Sequence, residues 1–260
     1  MEDPRIGVDT LRKDAWEKAT GRAKYTGDTI TADVLHARLL TSPYSHALIK
    51  NIDTTKALKS CGVKAVITGE NLPFLTGSMI CDRPIIAREK VRYFGEPVAV
   101  VIANSEEEAM RAVHLIEVDY EKLPVVNSIK DAITPEGTLV HRDLGRYYYP
   151  GTHIYPKSNS NVMDHVKIRK GNIDTGWEES EVVLEASFSL PQSDHIAMET
   201  RNAQAQILPD GTVIIHTSSQ APYGVKEELS KTFKIPEGKI IVRTPYVGGA
   251  FGGKATIQLE

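Results

Sequence analysis

The sequence predicts an α+β fold, because a strand, a helix and a second strand follow one another between residues 97 and 120. Pro97–Ala103 (PVAVVIA) is continuously apolar and β-branched, which is typical of a strand buried on both faces. Ser105 can cap a helix whose first turn holds Glu106–Glu108, and apolar residues then recur at helical spacing as far as Ile116. Val118–Tyr120 returns to a strand pattern. These elements predict a compact α+β unit that ends near residue 125.

Other segments extend this prediction on both sides. Residues 5–34 are polar and rich in Gly and Thr, which indicates an extended or looped entry segment. Residues 126–165 show little periodicity and are interpreted as a connector. Apolar and polar residues alternate in Val63–Thr68, Val182–Leu190 and Ala203–Leu208, which predicts strands there. Further strands are predicted from composition and neighbouring turns at Val34–Leu40, Thr212–Thr217 and Lys239–Val242. A hairpin is predicted around Pro209-Asp210-Gly211 and a helix over Pro222–Phe233.

Composition and charge exclude several classes of protein. The 260 residues carry a net charge of −3, which offers no basic field for nucleic acid. Cys61 and Cys81 are too few for a disulfide scaffold or an iron–sulfur cluster, and the eight histidines form no HExxH pattern. The acidic start lacks the features of a signal peptide, and no apolar run approaches the roughly 20 residues of a membrane span. We expect a cytoplasmic protein that contacts neither membranes nor nucleic acid.

The last six residues indicate that the chain ends inside a longer domain. Ala255–Glu260 contains good helix formers but no Gly or Asn cap. Six residues are too few to hold a helix by themselves, because helix nucleation is costly.

The most informative segment is the glycine loop, Gly248–Lys254 (GGAFGGK). Its glycines allow unusual backbone angles and a close approach of a ligand, and its amides can form an anion-binding nest. One alternative is a nucleotide-binding P-loop, but Ala255 stands where Ser or Thr must hold magnesium. A hairpin tip without function is another alternative, although a tight turn needs only one or two glycines.

Motifs distributed over the whole chain resemble those of the molybdenum hydroxylases, the xanthine dehydrogenase and aldehyde oxidase family. They are Lys18–Tyr25, Leu35–Ala47, Val91–Ala103, Ile116–Val125, His195–Thr200, Ser218–Pro222 and the glycine loop. The resemblance implies an a/b hammerhead domain, followed by the first part of the molybdopterin-binding domain. Residues 1–125 would form the hammerhead domain with an N-terminal extension, residues 126–165 the connector and residues 166–260 a truncated cofactor domain.

The resemblance also implies a role for individual residues. In this family the metal is held by the dithiolene sulfurs of a pterin, not by protein side chains. Gln220 matches the glutamine whose amide lies beside the metal's oxygen ligand, and Phe251 matches the loop phenylalanine whose backbone lies against metal and pterin. Gly249, Ala250 and Gly252 would let that backbone come close. The alternative for Gln220 is an exposed residue at the start of a helix.

The implied reaction is the hydroxylation of an N-heterocycle or an aldehyde, a small-molecule substrate, with oxygen from water. The general-base glutamate is expected outside this chain, so no catalytic residue is assigned here, and neither Glu199 nor Glu260 is given that role. The remainder of the molybdenum subunit, an iron–sulfur subunit with [2Fe–2S] centres and an FAD subunit are the implied partners. The nucleotide form of the pterin stays open, the cytosine dinucleotide among the candidates.

Two further points remain open in the sequence. Ala255 replaces the glutamate that orients the purine in purine-oxidising members, which argues against xanthine as the substrate. The rival hypothesis is a non-catalytic assembly or scaffold fragment, inactive without the absent portion and the partner subunits.

Overall fold

The computed structural model describes residues 6–29, 33–77, 79–150 and 153–255. The chain divides into two units, one formed by residues 1–34 with 195–260 and the other by residues 35–194. The predicted domains at 1–125, 126–165 and 166–260 stay a prediction, since these units follow spatial contacts alone. Among the residues described, none of the helices combines the length and the apolar character that crossing a membrane demands.

The elements are numbered in chain order. The helices are α1 Ala15–Ala19, α2 Thr55–Leu58, α3 Glu106–Val113, α4 Ile129–Ile133, α5 Ile173–Glu178 and α6 Pro222–Phe233, with 3-10 turns at Thr26–Asp28, Leu144–Arg146 and Glu237–Lys239. The strands are β1 His36–Thr41, β2 Ala47–Asp53, β3 Val63–Thr68, β4 Leu75–Thr76, β5 Arg83–Pro84, β6 Lys90–Val91, β7 Pro97–Ala103, β8 Glu117–Lys122, β9 Ala203–Ile207, β10 Val213–Thr217 and β11 Ile240–Arg243.

The unit of residues 35–194 is built around β7, the central strand of the antiparallel sheet β1-β7-β3. Five of its seven residues are buried, which agrees with its continuous apolar sequence. Helix α3 packs its small residues Ala109 and Ala112 against Ala99 and Val101 of β7 in one core cluster. The Ser105 Oγ accepts a hydrogen bond from the Glu108 amide, so the predicted helix start is confirmed.

A second antiparallel sheet, β6-β2-β8, covers another small core, formed by Ala47, Ala87, Val91 and Val98. Strand β2 was not predicted from the sequence. The connector of residues 126–165 is more ordered than expected, since it contains α4 and a 3-10 turn. The Asn161 side chain donates to the carbonyls of Ala132 and Thr138 and accepts from the Val140 amide at 2.9 Å, which holds the connector in a folded path.

Buried His46 makes the stability of this unit depend on pH. Its Nδ1 lies 2.6 Å from the Pro124 carbonyl, which can only accept, so Nδ1 carries the proton. Its Nε2 is buried and finds no partner among the described residues. Burial lowers the pKa of His46 from 6.5, and the positive charges of Lys90 and Arg92 act in the same direction.

The pH effect on unfolding follows from that lowered pKa. Below pH 6.5 the imidazole of His46 is protonated in the unfolded chain but stays neutral in the folded one. The free energy of unfolding therefore decreases as the pH falls. We expect urea unfolding to show a lower free energy at about pH 5.5 than at about pH 7.5, by at most about 1.4 kcal/mol per pH unit from this group. The variant His46→Gln is expected to lose this part of the pH dependence, whereas the exposed-site variant His114→Gln retains it. An unchanged slope in His46→Gln would contradict this account.

The segment of residues 179–194 contradicts the prediction of a strand at Val182–Leu190. It is described without strand, and its apolar residues at alternate positions, Val182, Leu184, Phe188 and Leu190, are 73%, 90%, 87% and 89% exposed. A strand needs a neighbour that accepts and donates its backbone hydrogen bonds. Within the part of the chain that the structure describes, Val182–Leu190 has no such backbone partner.

The unit of residues 1–34 and 195–260 contains a strand–helix–strand arrangement. Strand β10 pairs antiparallel with β9, as the predicted hairpin requires, and parallel with β11. Helix α6 connects the two parallel strands, and its bounds match the prediction. The N-terminal segment, expected to be looped, also contains α1, and Tyr25 forms a parallel bridge with Tyr246.

Candidate functional site

The topology of β10 and β11 brings the two predicted parts of the site to one edge of the sheet. Because these strands are parallel, their carboxyl ends lie side by side, and ligands of such sheets bind beyond those ends. Residues 218–221 follow β10 and contain Gln220, while the glycine loop follows β11 after a short connection.

Gln220 contacts the glycine loop directly. Its side-chain Oε1 accepts a hydrogen bond from the Gly252 amide at 3.2 Å, and its main-chain N–H donates to the Lys254 carbonyl at 3.0 Å. The Ser219 hydroxyl donates to the same carbonyl at 3.2 Å. A backbone N–H can only donate, so the Gly252 contact requires Oε1 to face the loop. The Nε2 group, with its two hydrogens, is therefore the part of the amide left for a ligand.

The loop itself folds back through left-handed backbone conformations. Gly249 and Gly252 have φ angles of 102° and 93°, and Phe251 between them has φ of 49°. The Gly253 amide closes the turn by donating to the Ala250 carbonyl at 2.7 Å. The Phe251 ring is 74% exposed. A phenylalanine held at positive φ is strained, and strain of this kind is concentrated at functional sites.

Two glycines of the loop are required by close packing. A Cβ at Gly248 would lie 2.5 Å from the Glu199 Cβ, and one at Gly253 would lie 2.9 Å from the His195 ring. The loop therefore rests on the residues 195–199 that precede β9. The motif His195–Thr200 is visible in the sequence, but its contact with the loop was not predicted.

A buried ion pair lies beneath the loop. The Lys254 Nζ donates to the Glu199 carboxylate at 3.0 Å and to the Glu199 main-chain carbonyl at 2.9 Å. The side chains of Lys254 and Glu199 are 3% and 13% exposed. The same carboxylate accepts from the Gly248 amide at 2.8 Å. This pair was not predicted from the sequence, since neither local sequence indicates that the two charges are buried together.

The described residues offer no side-chain cluster for a metal. Across the described ranges, no group of three or more His, Cys, Asp or Glu side chains could hold a metal ion. Two surface depressions, of about 500 Å³ and about 350 Å³, lie elsewhere in the described residues: one is lined by Tyr246 and its neighbours, the other by residues of α6 and β11. The glycine loop and Gln220 thus form an open surface made of backbone amides, one carboxamide and one aromatic ring.

Two family models of known proteins match this chain. Residues 20–124 match the family model "Aldehyde oxidase and xanthine dehydrogenase, a/b hammerhead domain", and residues 154–260 match "Molybdopterin cofactor-binding domain". The chain belongs to the xanthine dehydrogenase and aldehyde oxidase family. The predicted family and fold class are therefore confirmed.

The relatives of this chain are much longer than the chain itself. It is 32% identical to a probable xanthine dehydrogenase subunit of Bacillus subtilis (strain 168), over 96% of this chain and 32% of that protein. Quinoline 2-oxidoreductase from Pseudomonas putida 86 matches with a TM-score of 0.82 and 32% identity, over 96% of this chain and 31% of that one. CO dehydrogenase from Oligotropha carboxidovorans matches with a TM-score of 0.86 and 26% identity, over 97% and 32%. The chain spans about a third of the length of these relatives.

Proposed function

We propose that this chain forms part of the molybdenum–pterin site of a molybdenum hydroxylase, which hydroxylates an N-heterocycle or an aldehyde with oxygen from water. The observation that carries the proposal is the contact between Gln220 and Gly252 at the carboxyl edge of two parallel strands. The names of two relatives, a xanthine dehydrogenase subunit and a quinoline oxidoreductase, support an N-heterocycle as the substrate class.

The residues at this edge fit a metal that arrives on a pterin. Such a metal takes its sulfur ligands from the pterin, so it needs close backbone approach rather than a cluster of ligating side chains. The small residues Gly249, Ala250 and Gly252 allow that approach. Within the described ranges, no group of three or more His, Cys, Asp or Glu side chains offers the metal an alternative set of ligands. When bound, the molybdenum group supplies the two-electron oxidation of the substrate carbon.

Each residue of the candidate site has a defined task in the proposal. Gln220 presents its Nε2 hydrogens to the bound group, because Oε1 is already used by Gly252. A carboxamide does this without adding charge. The backbone of Gly249–Gly252 would support the group, and the exposed Phe251 side chain stands beside that backbone. Gln220 and Phe251 would thus adjoin the metal without ligating it.

The remaining components of the activity are proposed to lie outside this chain. The general base, a glutamate, belongs to the remainder of the molybdenum subunit. The Glu199 carboxylate is not given this role, since its Oε2 is bound to Lys254 and Gly248 and its Oε1 is buried away from the surface. Electrons leave through [2Fe–2S] and FAD partner subunits, in a cytoplasmic complex. The cytosine dinucleotide is the form of the pterin to test first.

Ala255 leads to a prediction about substrate choice. Its methyl group offers no hydrogen bond to a purine ring, so we expect xanthine to be oxidised at least about tenfold less efficiently than a simpler N-heterocycle or aldehyde. Steady-state kcat/KM values over a panel of xanthine, quinoline, nicotinate and benzaldehyde measure this. Xanthine turnover equal to that of the best substrate would contradict the prediction.

The proposed function is tested by the metal content of the assembled protein. The complete molybdenum subunit, purified together with its partner subunits, is expected to contain about one molybdenum and one pterin per copy. Elemental analysis and pterin release measure both. A complex that assembles with neither would favour the non-catalytic scaffold and overturn the proposal.

A further inference from the structure

Both ends of the glycine loop converge on a single residue, Glu199. The Gly248 amide donates to its Oε2 at 2.8 Å, and the Lys254 Nζ donates to the same oxygen at 3.0 Å. The backbone adds two more contacts, from the Glu199 amide to the Gly248 carbonyl and from Nζ to the Glu199 carbonyl. One carboxylate oxygen therefore fixes the separation between the first and the last residue of the loop.

The burial of this pair makes each member depend on the other for charge compensation. The other carboxylate oxygen, Oε1, is buried and has no hydrogen-bond partner among the described residues. The charge of Glu199 is thus compensated mainly by Lys254, which is itself 3% exposed. Removing the lysine would leave an uncompensated buried carboxylate with one oxygen already unpartnered, and neutralising the glutamate would leave a buried ammonium that keeps its contact with the Glu199 main-chain carbonyl.

The pair is also connected to Gln220. The Lys254 carbonyl accepts from the Gln220 main-chain amide at 3.0 Å and from the Ser219 hydroxyl at 3.2 Å. The Gln220 side chain in turn accepts from Gly252 inside the loop. A displacement of Lys254 therefore moves both the loop and the carboxamide that faces it.

We propose that the Glu199–Lys254 ion pair is a clamp that sets the shape of the glycine loop and the place of Gln220, and that it acts on cofactor binding only through them. Both are positioning residues. The cofactor part of this inference rests on the proposed function, while the loop part stands on the contacts alone.

The test uses the complete molybdenum subunit with its partner subunits and compares Lys254→Met with Lys239→Met. Lys239 also binds a carboxylate, Asp210 at 3.2 Å, but that pair is exposed, so its loss is expected to change little. In Lys254→Met, amide hydrogen exchange at Gly248 and Gly252 is expected to rise about tenfold or more, with strand β10 unchanged. Molybdenum content is expected to fall by about tenfold under limiting molybdate.

A second variant separates the clamp from simple loss of stability. Glu199→Gln keeps an oxygen for Gly248 and Lys254 but leaves the buried Lys254 ammonium without a counter-charge, so its loop exchange rates are expected to rise as well, by less than in Lys254→Met because the Glu199 main-chain carbonyl still accepts from Nζ. The double variant Glu199→Gln, Lys254→Met is expected to be closer to the wild type than Lys254→Met alone, because no buried charge remains unpaired. A general stability role would instead speed exchange in β10 and make the two substitutions additive.

The outcomes distinguish the clamp from the proposed function. Rapid loop exchange in Lys254→Met supports the clamp whether or not the wild type holds molybdenum. Absence of molybdenum from the wild type would overturn only the proposed function. Wild-type loop exchange and wild-type molybdenum content in Lys254→Met would overturn the clamp and leave the proposed function intact. Uniform acceleration of β10 and the loop together would also overturn it.

Discussion

The variant Gly248→Ala is expected to assemble a molybdenum subunit that retains about a tenth or less of the wild-type cofactor. The added Cβ would lie 2.5 Å from the Glu199 Cβ, a separation that real Cβ atoms do not adopt. Glu199 cannot move away cheaply, because its carboxylate, carbonyl and amide are all bonded to the loop. The loop must therefore open at its first residue, and elemental analysis for molybdenum measures the consequence.

Gly238→Ala is the matched control for this variant. Gly238 lies in the same unit, in the 3-10 turn Glu237–Lys239, and a Cβ there would meet no atom within 4 Å. We expect it to carry the wild-type amount of molybdenum. If Gly248→Ala and Gly238→Ala bind molybdenum equally well, the loop is not the cofactor cradle that we propose.

The second large effect concerns Gln220. Replacing it with Ala is expected to lower kcat roughly 100-fold, the magnitude typical of losing one hydrogen-bond donor aimed at a reacting centre. The fold is expected to survive, since the Gln220 side chain is exposed and makes only the Gly252 contact among the described residues. Steady-state kinetics on the best substrate measure kcat, and molybdenum content shows whether the cofactor is still present.

Gln220→Glu isolates the donor from the loop contact. A glutamate keeps an oxygen for the Gly252 amide. In place of the Nε2 group it has a second oxygen, which carries no hydrogen when ionised and adds a negative charge. We expect it to lose kcat as severely as Gln220→Ala while it keeps wild-type loop exchange. Full activity in Gln220→Glu would show that the Nε2 donor has no part in the reaction.

The parts of the fold that were predicted correctly depend on local signals. Strand Pro97–Ala103 carries its own burial pattern, and helix Glu106–Val113 carries its own cap, so neither needs distant residues to be recognised. Strand Ala47–Asp53 was missed because it does not alternate and because its partners, Lys90–Val91 and Glu117–Lys122, are far away in sequence. Pairing over such distances is decided by tertiary structure.

The candidate site shows the same division between local and distant information. The glycine loop is recognisable from its composition, and Gln220 stands in a motif at a fixed distance upstream. The Glu199–Lys254 pair joins residues 55 positions apart, and nothing in either local sequence indicates that their charges are buried together. The roles assigned to Gln220, Gly249, Ala250, Phe251 and Gly252 remain predictions from the family resemblance, now joined to a defined geometry.

The exposed row of Val182, Leu184, Phe188 and Leu190 has a practical consequence for handling this polypeptide. Large apolar side chains at alternate positions on a backbone without hydrogen-bond partners form an aggregation-prone segment, with which an extended strand of a neighbouring molecule can pair. A solution of this chain alone is thus prone to precipitate at high concentration, and charged substitutions at those alternate positions are the direct remedy.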